Sequence, residues 1–176
     1  DKQGRSKFRD GQHEKAALYL LRHSTAHVMA EAIEKLYPDT LLAYGPPLDT
    51  GFYYDLKLDT PISSDNFAKI EEAMGAITGE DRPFSRYDLD ASEGKAKLDA
   101  EGNKYKLDNA DKALTNGATS LSFYVTGQRD QNWEDLCQGP HVDRTSRIGA
   151  IKVKSVAASN WHGDVTSDRF PRDYGT

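Results

Sequence analysis

Two histidines in a long apolar stretch, His23 and His27, are four residues apart. On a helix they lie on one face, one turn above the other. A second pair with the same spacing, Cys137 and His141, encloses Gly139-Pro140, which predicts an open turn rather than a helix. Three of the five histidines and the only cysteine therefore form two matched motifs.

These four side chains are a complete set of tetrahedral ligands for zinc, and a helical pair of histidines with this spacing is a known way to present two imidazoles to one ion. Taken one at a time, each residue has a structural alternative, as a polar group on a helix face or as a small apolar thiol in the core. A nucleophilic cysteine is a third possibility, but no flanking signature supports it.

The same residues also suit a polar pocket without metal, in which an imidazole and nearby charges hold a water against an ester carbonyl. Asp135 lies two positions before Cys137, so both would share one face of a strand. Lys106 and Tyr54 are candidates to join them. Spacing alone leaves zinc and metal-free chemistry equally open.

The composition fits one soluble domain, with 37% apolar and 29% charged residues, and contains no apolar run long enough for a bilayer. A single cysteine and the lack of a secretory signal favour a reducing, cytoplasmic location. The net charge of −5 argues against nucleic-acid binding by the overall field of the protein, so any such contact should be local.

The helices and strands predicted around these residues indicate an α+β fold. The long helix that carries His23 and His27 is expected to pack on a twisted, mainly antiparallel sheet, with additional short helices. We expect a flexible leader at residues 1–12 and one domain at 13–176. Predicted helices cover 13–37, 64–77 and 91–101, the last capped by Asp90, and 108–119 is predicted as a polar linker. Strands are predicted around residues 41–48, 52–58, 84–89, 121–125, 133–137 and 148–156.

A longer ordered set of motifs resembles the editing domain of bacterial-type threonyl-tRNA synthetase. The matching runs are His23-Ser-Thr-Ala-His27, Gly45-Pro46, Gly51-Phe-Tyr-Tyr-Asp55, Tyr105-Lys-Leu107, Asp135-Leu-Cys-Gln-Gly-Pro-His141, Trp161 with Gly163-Asp164, and Tyr174-Gly-Thr176. The related alanyl-tRNA synthetase editing domains share the two spaced pairs, bind zinc there, and usually carry Gly-Gly-Thr between the cysteine and the histidine. The threonyl resemblance implies a site with no metal and no cofactor.

The resemblance also assigns roles to particular residues. It implies that His23, Lys106 and Asp135 are catalytic, and that substrate is bound by His27, Tyr54, Cys137 and His141. Two neighbouring positions depart from the family pattern, because Gln138 and His162 each stand where an arginine is usual. Both changes remove positive charge, which weakens the expected contact with the tRNA end rather than the chemistry.

The implied function is hydrolysis of seryl-tRNA(Thr), made in error, by an excised editing domain that does not aminoacylate tRNA by itself. The implied partners are the serine-carrying 3′ end of tRNA(Thr) and the other domains of the synthetase, with no membrane. Two alternatives remain from the sequence: a zinc-dependent alanyl-type deacylase, and a zinc-stabilised binding module without catalytic activity.

Overall fold

A computed structural model of the chain describes residues 2–59, 61–160 and 169–176. These residues form helices and antiparallel sheets, which confirms the predicted α+β class. Two sheets are present where the sequence predicted one, with five strands in the first and three in the second. Across the described ranges, we find no helix with the length and apolar character needed to cross a membrane.

Helix α1 spans Lys2–Leu36, so the predicted start at residue 13 is wrong. Lys, Arg, Gln and Glu are good helix formers, and the sequence has no proline before Pro38 that would end or delay the helix. The helix ends where predicted, with the Tyr37 N–H donating to the Ile33 carbonyl just before Pro38. A division between leader and domain near residue 13 stays a prediction.

The first sheet and helix α2 enclose the main core with α1. Strands β1 (Leu41–Tyr44), β2 (Pro47–Leu48), β3 (Gly51–Lys57), β7 (Val153–Asn160) and β8 (Arg169–Gly175) form this sheet in the order β1-β3-β8-β7, with β2 paired to β3. Helix α2 (Phe67–Gly79) follows a short 3-10 turn and buries the predicted stripe of Ile70, Met74 and Ile77. Met29, Ile33, Phe52 and Leu56 complete the centre of this core.

The second sheet is smaller and carries its own two helices. Strands β4 (Phe84–Asp90), β5 (Ser120–Thr126) and β6 (Glu134–Leu136) pair antiparallel, and α3 (Ala91–Glu101) and α4 (Lys104–Thr115) lie between β4 and β5 in the chain. Leu98, Ala110, Leu121 and Phe123 form a separate buried cluster between these helices and the sheet. The predicted strands at 84–89, 121–125 and 133–137 are confirmed within a residue or two.

Helices α3 and α4 gave opposite outcomes for the sequence predictions. For α3 both ends are confirmed, because the Asp90 side chain accepts from the Glu93 N–H and Gly102 adopts a left-handed conformation with φ 70°. The polar linker predicted at 108–119 is wrong, since most of it is helix α4. Leu107, Ala110 and Leu114 have helical spacing and pack against the second cluster. Burial of this face therefore stabilises a helix that the polar composition of the segment does not indicate.

Candidate active site

A cavity of about 400 Å³ lies where α1, β3, α4 and the end of β6 meet. Its walls include six of the seven residues expected from the sequence: His23, His27, Tyr54, Lys106, Asp135 and Cys137. The seventh, His141, lies directly behind the helical pair, with its ring centroid 4.1 Å from that of His23 and 4.2 Å from that of His27. The fold therefore brings together residues that are up to 118 positions apart in the chain, from 23 to 141.

Asp135 joins three of the elements that surround the cavity. Its Oδ1 lies 3.0 Å from the Lys106 Nζ, and its Oδ2 accepts a short hydrogen bond from the Tyr54 hydroxyl. All three residues are buried, at 7% exposure for Lys106, 5% for Asp135 and 1% for Tyr54. Because both carboxylate oxygens are engaged, Asp135 fixes the positions of a cation and a phenol at the cavity wall.

The charges of this group follow from burial and proximity. Burial alone would lower the pKa of Lys106, but the carboxylates of Asp135 and Glu101 outweigh it, so the pKa is raised and the ammonium stays charged. Burial raises the pKa of Tyr54 well above its ordinary value, and the charge of Asp135 raises it further. The cavity wall therefore presents one permanent positive charge and one neutral phenol.

The backbone around Lys106 is set by Asn103, which the sequence analysis did not single out. Its side-chain oxygen accepts from the N–H groups of Tyr105 and Lys106, at 3.1 and 3.3 Å, and so caps α4. Its amide nitrogen donates to the Leu42 carbonyl at 2.7 Å, which ties the start of α4 to β1. The sequence signal available for this cap was Asn103 itself, because asparagine is a preferred N-cap residue. Leu107 follows it in the first turn of the helix.

Tyr54 reaches the cavity because Gly45 leaves room for its ring. A Cβ at Gly45 would lie 2.2 Å from Cδ2 of Tyr54, closer than any side chain can approach. The Gly45-Pro46 and Gly51-Phe52-Tyr53-Tyr54-Asp55 motifs of the resemblance therefore act together, one by supplying the ring and the other by making space for it.

The cysteine and two of the histidines form a closed polar chain. The Cys137 Sγ lies 3.4 Å from Nε2 of His23 and 3.3 Å from Nε2 of His141, and it also accepts from the Gly139 N–H at 3.2 Å. The Pro140 carbonyl lies 2.9 Å from Nδ1 of His23, and because a carbonyl only accepts, Nδ1 carries the proton. Nε2 of His23 is then the acceptor, facing the Cys137 thiol.

Ser24 completes this chain, although sequence reasoning did not select it from between the two histidines. Its Oγ accepts from the Val142 N–H at 3.0 Å and lies 3.0 Å from Nδ1 of His141. The hydroxyl proton is therefore free to be donated to that ring nitrogen, which leaves Nε2 of His141 as a donor to the Cys137 sulfur. The network thus assigns one tautomer to each of the two imidazoles.

Burial sets the protonation of these groups. It lowers the pKa of His23, and it lowers the pKa of His27 and His141 much further, with repulsion from neighbouring imidazoles adding to the effect. Burial also raises the pKa of Cys137 to about 12, so the thiol is protonated at neutral pH. A protonated thiol is a poor nucleophile, which disfavours the cysteine-nucleophile hypothesis.

The same four residues also suit a metal ion. Donor atoms of His23, His27, Cys137 and His141 all lie within 4.8 Å of one another. In addition, Nδ1 of His27 is buried and has no hydrogen-bond partner within the described part of the chain. One thiolate and three imidazoles are an ordinary zinc ligand set, so the residues fit zinc by donor type and proximity.

Other expected residues lie farther away or outside the described ranges. Gln138, one of the two positions that depart from the family pattern, lines the cavity, whereas His162, Trp161, Gly163 and Asp164 lie outside the described residues. Basic side chains near the end of the second motif are already paired with carboxylates: Arg144 with Asp81, Arg147 with Asp143, and Lys152 with Glu71. Their charges are thus partly neutralised.

Comparison with known proteins supports the resemblance read from the motifs. Residues 123–164 match the family described as threonyl and alanyl tRNA synthetase second additional domain. The chain is 42% identical over 159 residues to the threonine–tRNA ligase of Rubrobacter xylanophilus, covering 90% of this chain and 24% of that protein. The chain is related to the threonyl-tRNA synthetases. The predicted family is therefore confirmed.

Two further threonine–tRNA ligases show the same extent of similarity. The protein of Anaeromyxobacter dehalogenans is 38% identical over 160 residues, which is 91% of this chain and 24% of that protein. The protein of Sinorhizobium fredii is 40% identical over 164 residues, which is 93% of this chain and 24% of that protein. The chain therefore spans about a quarter of the length of the threonyl-tRNA synthetases that it matches.

Proposed function

We propose that this chain hydrolyses the ester of serine wrongly attached to tRNA(Thr). The observation that carries the proposal is the buried Lys106–Asp135 pair, which faces the same cavity as the imidazole of His23. An ester hydrolase needs a proton acceptor for water and a positive group for the developing oxyanion, and this cavity offers both. The relationship to threonyl-tRNA synthetases supplies the class of substrate.

An enzyme that attaches threonine to tRNA has a physical reason to need a hydrolytic correction step. Serine lacks one methyl group of threonine, and a difference of that size gives only about 1–3 kcal/mol of discrimination. A second cavity that admits serine and excludes threonine by size removes the resulting errors. Tyr54 bounds the cavity, and the Lys106–Asp135 pair holds this ring in place.

In the proposed reaction, Lys106 and His23 position the attacking water. The water oxygen bonds to the ester carbonyl carbon and the carbon–oxygen bond to the ribose breaks. Nε2 of His23 exchanges its hydrogen bond from the Cys137 thiol for one from the water, and the water proton passes through this nitrogen to the released ribose oxygen. The Lys106 ammonium stabilises the charge on the carbonyl oxygen, an effect worth about 3–4 kcal/mol per good donor in measured cases. Asp135 keeps Lys106 in place, since both of its oxygens are already engaged.

The remaining residues shape the cavity in this proposal. His27 and Cys137 form its inner wall, with His141 directly behind them, and this group contacts the substrate in the proposal. The 3′ end of tRNA(Thr) and the other domains of a full-length synthetase are the proposed partners, and the proposed location is the cytoplasm. The isolated chain is proposed to act on mischarged tRNA without forming threonyl-tRNA.

A second candidate function is favoured by the cluster of metal-ligand side chains. His23, His27, Cys137 and His141 would hold a zinc ion, which when bound supplies a Lewis acid and an activated water. The chain would then be an alanyl-type deacylase, or a module whose zinc stabilises the fold without catalysis. The protonated thiol and the paired imidazoles support the metal-free proposal instead, because their hydrogen bonds close without an ion.

A deacylation assay with three substrates tests the proposal. We expect the chain to release serine from seryl-tRNA(Thr), to leave threonyl-tRNA(Thr) intact, and to act poorly on seryl-tRNA(Ala). Preferential release from seryl-tRNA(Ala) would identify the alanyl-type activity. No release from any of the three by folded protein would refute the hydrolytic function.

A further inference from the structure

The outer end of the cavity carries two exposed aromatic side chains. Tyr19 is 46% exposed and Tyr44 is 54% exposed, and both line the cavity that contains His23 and Lys106. Aromatic side chains commonly line ligand-binding pockets, where a few polar groups fix the orientation of the ligand. These two rings are therefore candidates for a binding surface that the catalytic groups do not use.

The helix places Tyr19 at a definite distance from the reacting centre. Tyr19, His23 and His27 are spaced by four residues along α1, so they form one stripe, and their exposure falls from 46% to 8% to 2% along it. The cavity therefore opens toward Tyr19, about one helical turn, or 5.4 Å, beyond His23.

Tyr44 lies at the same rim, at the end of β1 just before Gly45. Tyr44 and Tyr19 line the same cavity as Cys137. The Tyr19 ring also contacts the His23 ring edge-on, with a centroid separation of 6.1 Å. The two tyrosines thus flank the entrance on the side of the proposed water acceptor.

The residues at this rim offer little positive charge for a phosphate, and the neighbouring Arg86, which donates to the Gln138 carbonyl at 3.3 Å, is itself paired with Asp88. Among the described residues that line the cavity, Lys106 is the single lysine or arginine, and it is buried against Asp135. The chain as a whole carries a net charge of −5. Affinity for a nucleic-acid end at this entrance must therefore come from uncharged contacts, and aromatic rings stack on any base.

We propose that Tyr19 and Tyr44 form a clamp that stacks on an unpaired base at the 3′ end of the substrate RNA. The clamp holds the terminal nucleoside while its aminoacyl ester reaches His23 and Lys106, so this inference rests on the proposed hydrolytic function. In this inference the base does not bind at His27, Cys137 and His141, whose side chains contact one another.

The test uses the trinucleotide CCA, titrated into the protein and into single variants by NMR. Tyr19→Ala and Tyr44→Ala are each expected to weaken binding about tenfold, whereas Tyr19→Phe and Tyr44→Phe keep the wild-type affinity because the ring remains. Leu18→Ala is the matched control, since Leu18 is 44% exposed beside Tyr19 and does not line the cavity. The affinity is expected to change little with salt.

Any of three results would overturn the clamp. The alanine variants could bind CCA as tightly as the wild type, Leu18→Ala could lose as much affinity as they do, or the wild type could show no binding. A steep salt dependence that the alanine variants leave unchanged would instead identify phosphate binding. With 3′-O-seryl-adenosine the alanine variants should raise KM about tenfold at unchanged kcat, and with serine ethyl ester they should have no effect. Trinucleotide binding without any hydrolysis would leave the clamp standing and remove the proposed function.

Discussion

The ammonium nitrogen of Lys106 lies 3.0 Å from Oδ1 of Asp135, and both side chains are less than one tenth exposed. The Tyr54 hydroxyl donates to the other carboxylate oxygen. Both oxygens of this carboxylate are therefore engaged in holding neighbouring side chains. In the proposed reaction Asp135 positions the cation, and His23 is the proton acceptor.

Replacing Lys106 by methionine should remove the positive charge while keeping most of the side-chain volume. We expect release of serine from seryl-tRNA(Thr) to fall by about 10²–10³-fold, since one good donor to an oxyanion is worth about 3–4 kcal/mol. The variant also leaves Asp135 buried without its cation, a loss of about 3–5 kcal/mol in stability. Single-turnover deacylation, measured below the melting temperature of the variant, separates the two effects.

Lys95→Met is the matched control for this experiment. Lys95 is 46% exposed on α3 and pairs with Asp111, away from the cavity walls. Hydrolysis by this variant should equal that of the wild type. Near-normal hydrolysis by folded Lys106→Met would exclude the proposed role of the lysine.

Substitutions at two helix caps separate an effect on stability from an effect on activity. Asn103→Ala should destabilise the start of α4 by about 1–2 kcal/mol and displace Lys106, because it removes the cap and the hydrogen bond to Leu42. Asp90→Ala removes the corresponding cap of α3, at a similar cost of about 1 kcal/mol, without touching the cavity.

Thermal melting and deacylation rates of the two cap variants give the comparison. Both should melt earlier than the wild type, and only Asn103→Ala should lose activity well below its melting temperature. Equal residual activities would show that the position of Lys106 does not depend on this cap.

The caps also explain which helices could be read from the sequence. Asp90 and Gly102 are strong local signals, so both ends of α3 were predicted. Helix α4 was missed because its surface is rich in Lys, Asp and Asn, and its apolar stripe of Leu107, Ala110 and Leu114 is narrow. Burial against the second sheet, which the local sequence does not reveal, decides its conformation.

For the site, the sequence supplied residue types but not geometry. The histidine pair and the Cys137–His141 pair were recognisable from spacing, and strand alternation placed Asp135 beside Cys137. Lys106 and Tyr54 were only candidates until the resemblance assigned them roles. The hydrogen bond between Tyr54 and Asp135 joins residues 81 positions apart, so local patterns cannot indicate it. Ser24 and Asn103 act through a few specific hydrogen bonds each, which leave no periodic signal in the chain.

Metal content is the measurement that divides the two candidate functions. We expect protein purified without chelator to contain no stoichiometric zinc by elemental analysis, because the thiol and two of the imidazoles already satisfy one another. Treatment with EDTA should then leave the melting temperature and the deacylation rate unchanged. One zinc per chain, with a large fall in melting temperature on chelation, would favour the zinc-dependent alternatives.

Asp173 is a buried carboxylate whose two oxygens have no hydrogen-bond partner among the described residues. It lies on β8 directly across from Tyr54, and its side chain is fully buried. Burial raises the pKa of Asp173 to about 7, and the nearby backbone N–H of Tyr174 only partly offsets this effect. An acid in such a place costs stability whenever it is ionised.

Asp173→Val should therefore raise the free energy of unfolding, and the gain should depend on pH. The folded protein keeps a proton on Asp173 that the unfolded chain releases between about pH 4 and pH 7, so wild-type stability attributable to this group falls as pH rises through that window. The gain of the variant should be smallest at pH 4 and reach at most about 4 kcal/mol near pH 8. Valine also suits a central strand.

Urea unfolding of the wild type and of Asp173→Val at several pH values measures this difference directly. Asp173→Asn is the control, since it removes the charge but keeps a buried polar amide. The asparagine variant should lose the same pH dependence and gain less stability than valine, because its amide still lacks a partner. A gain from valine that is equal at pH 4 and pH 8 would mean that the carboxylate is ionised in the folded protein throughout, contrary to the raised pKa.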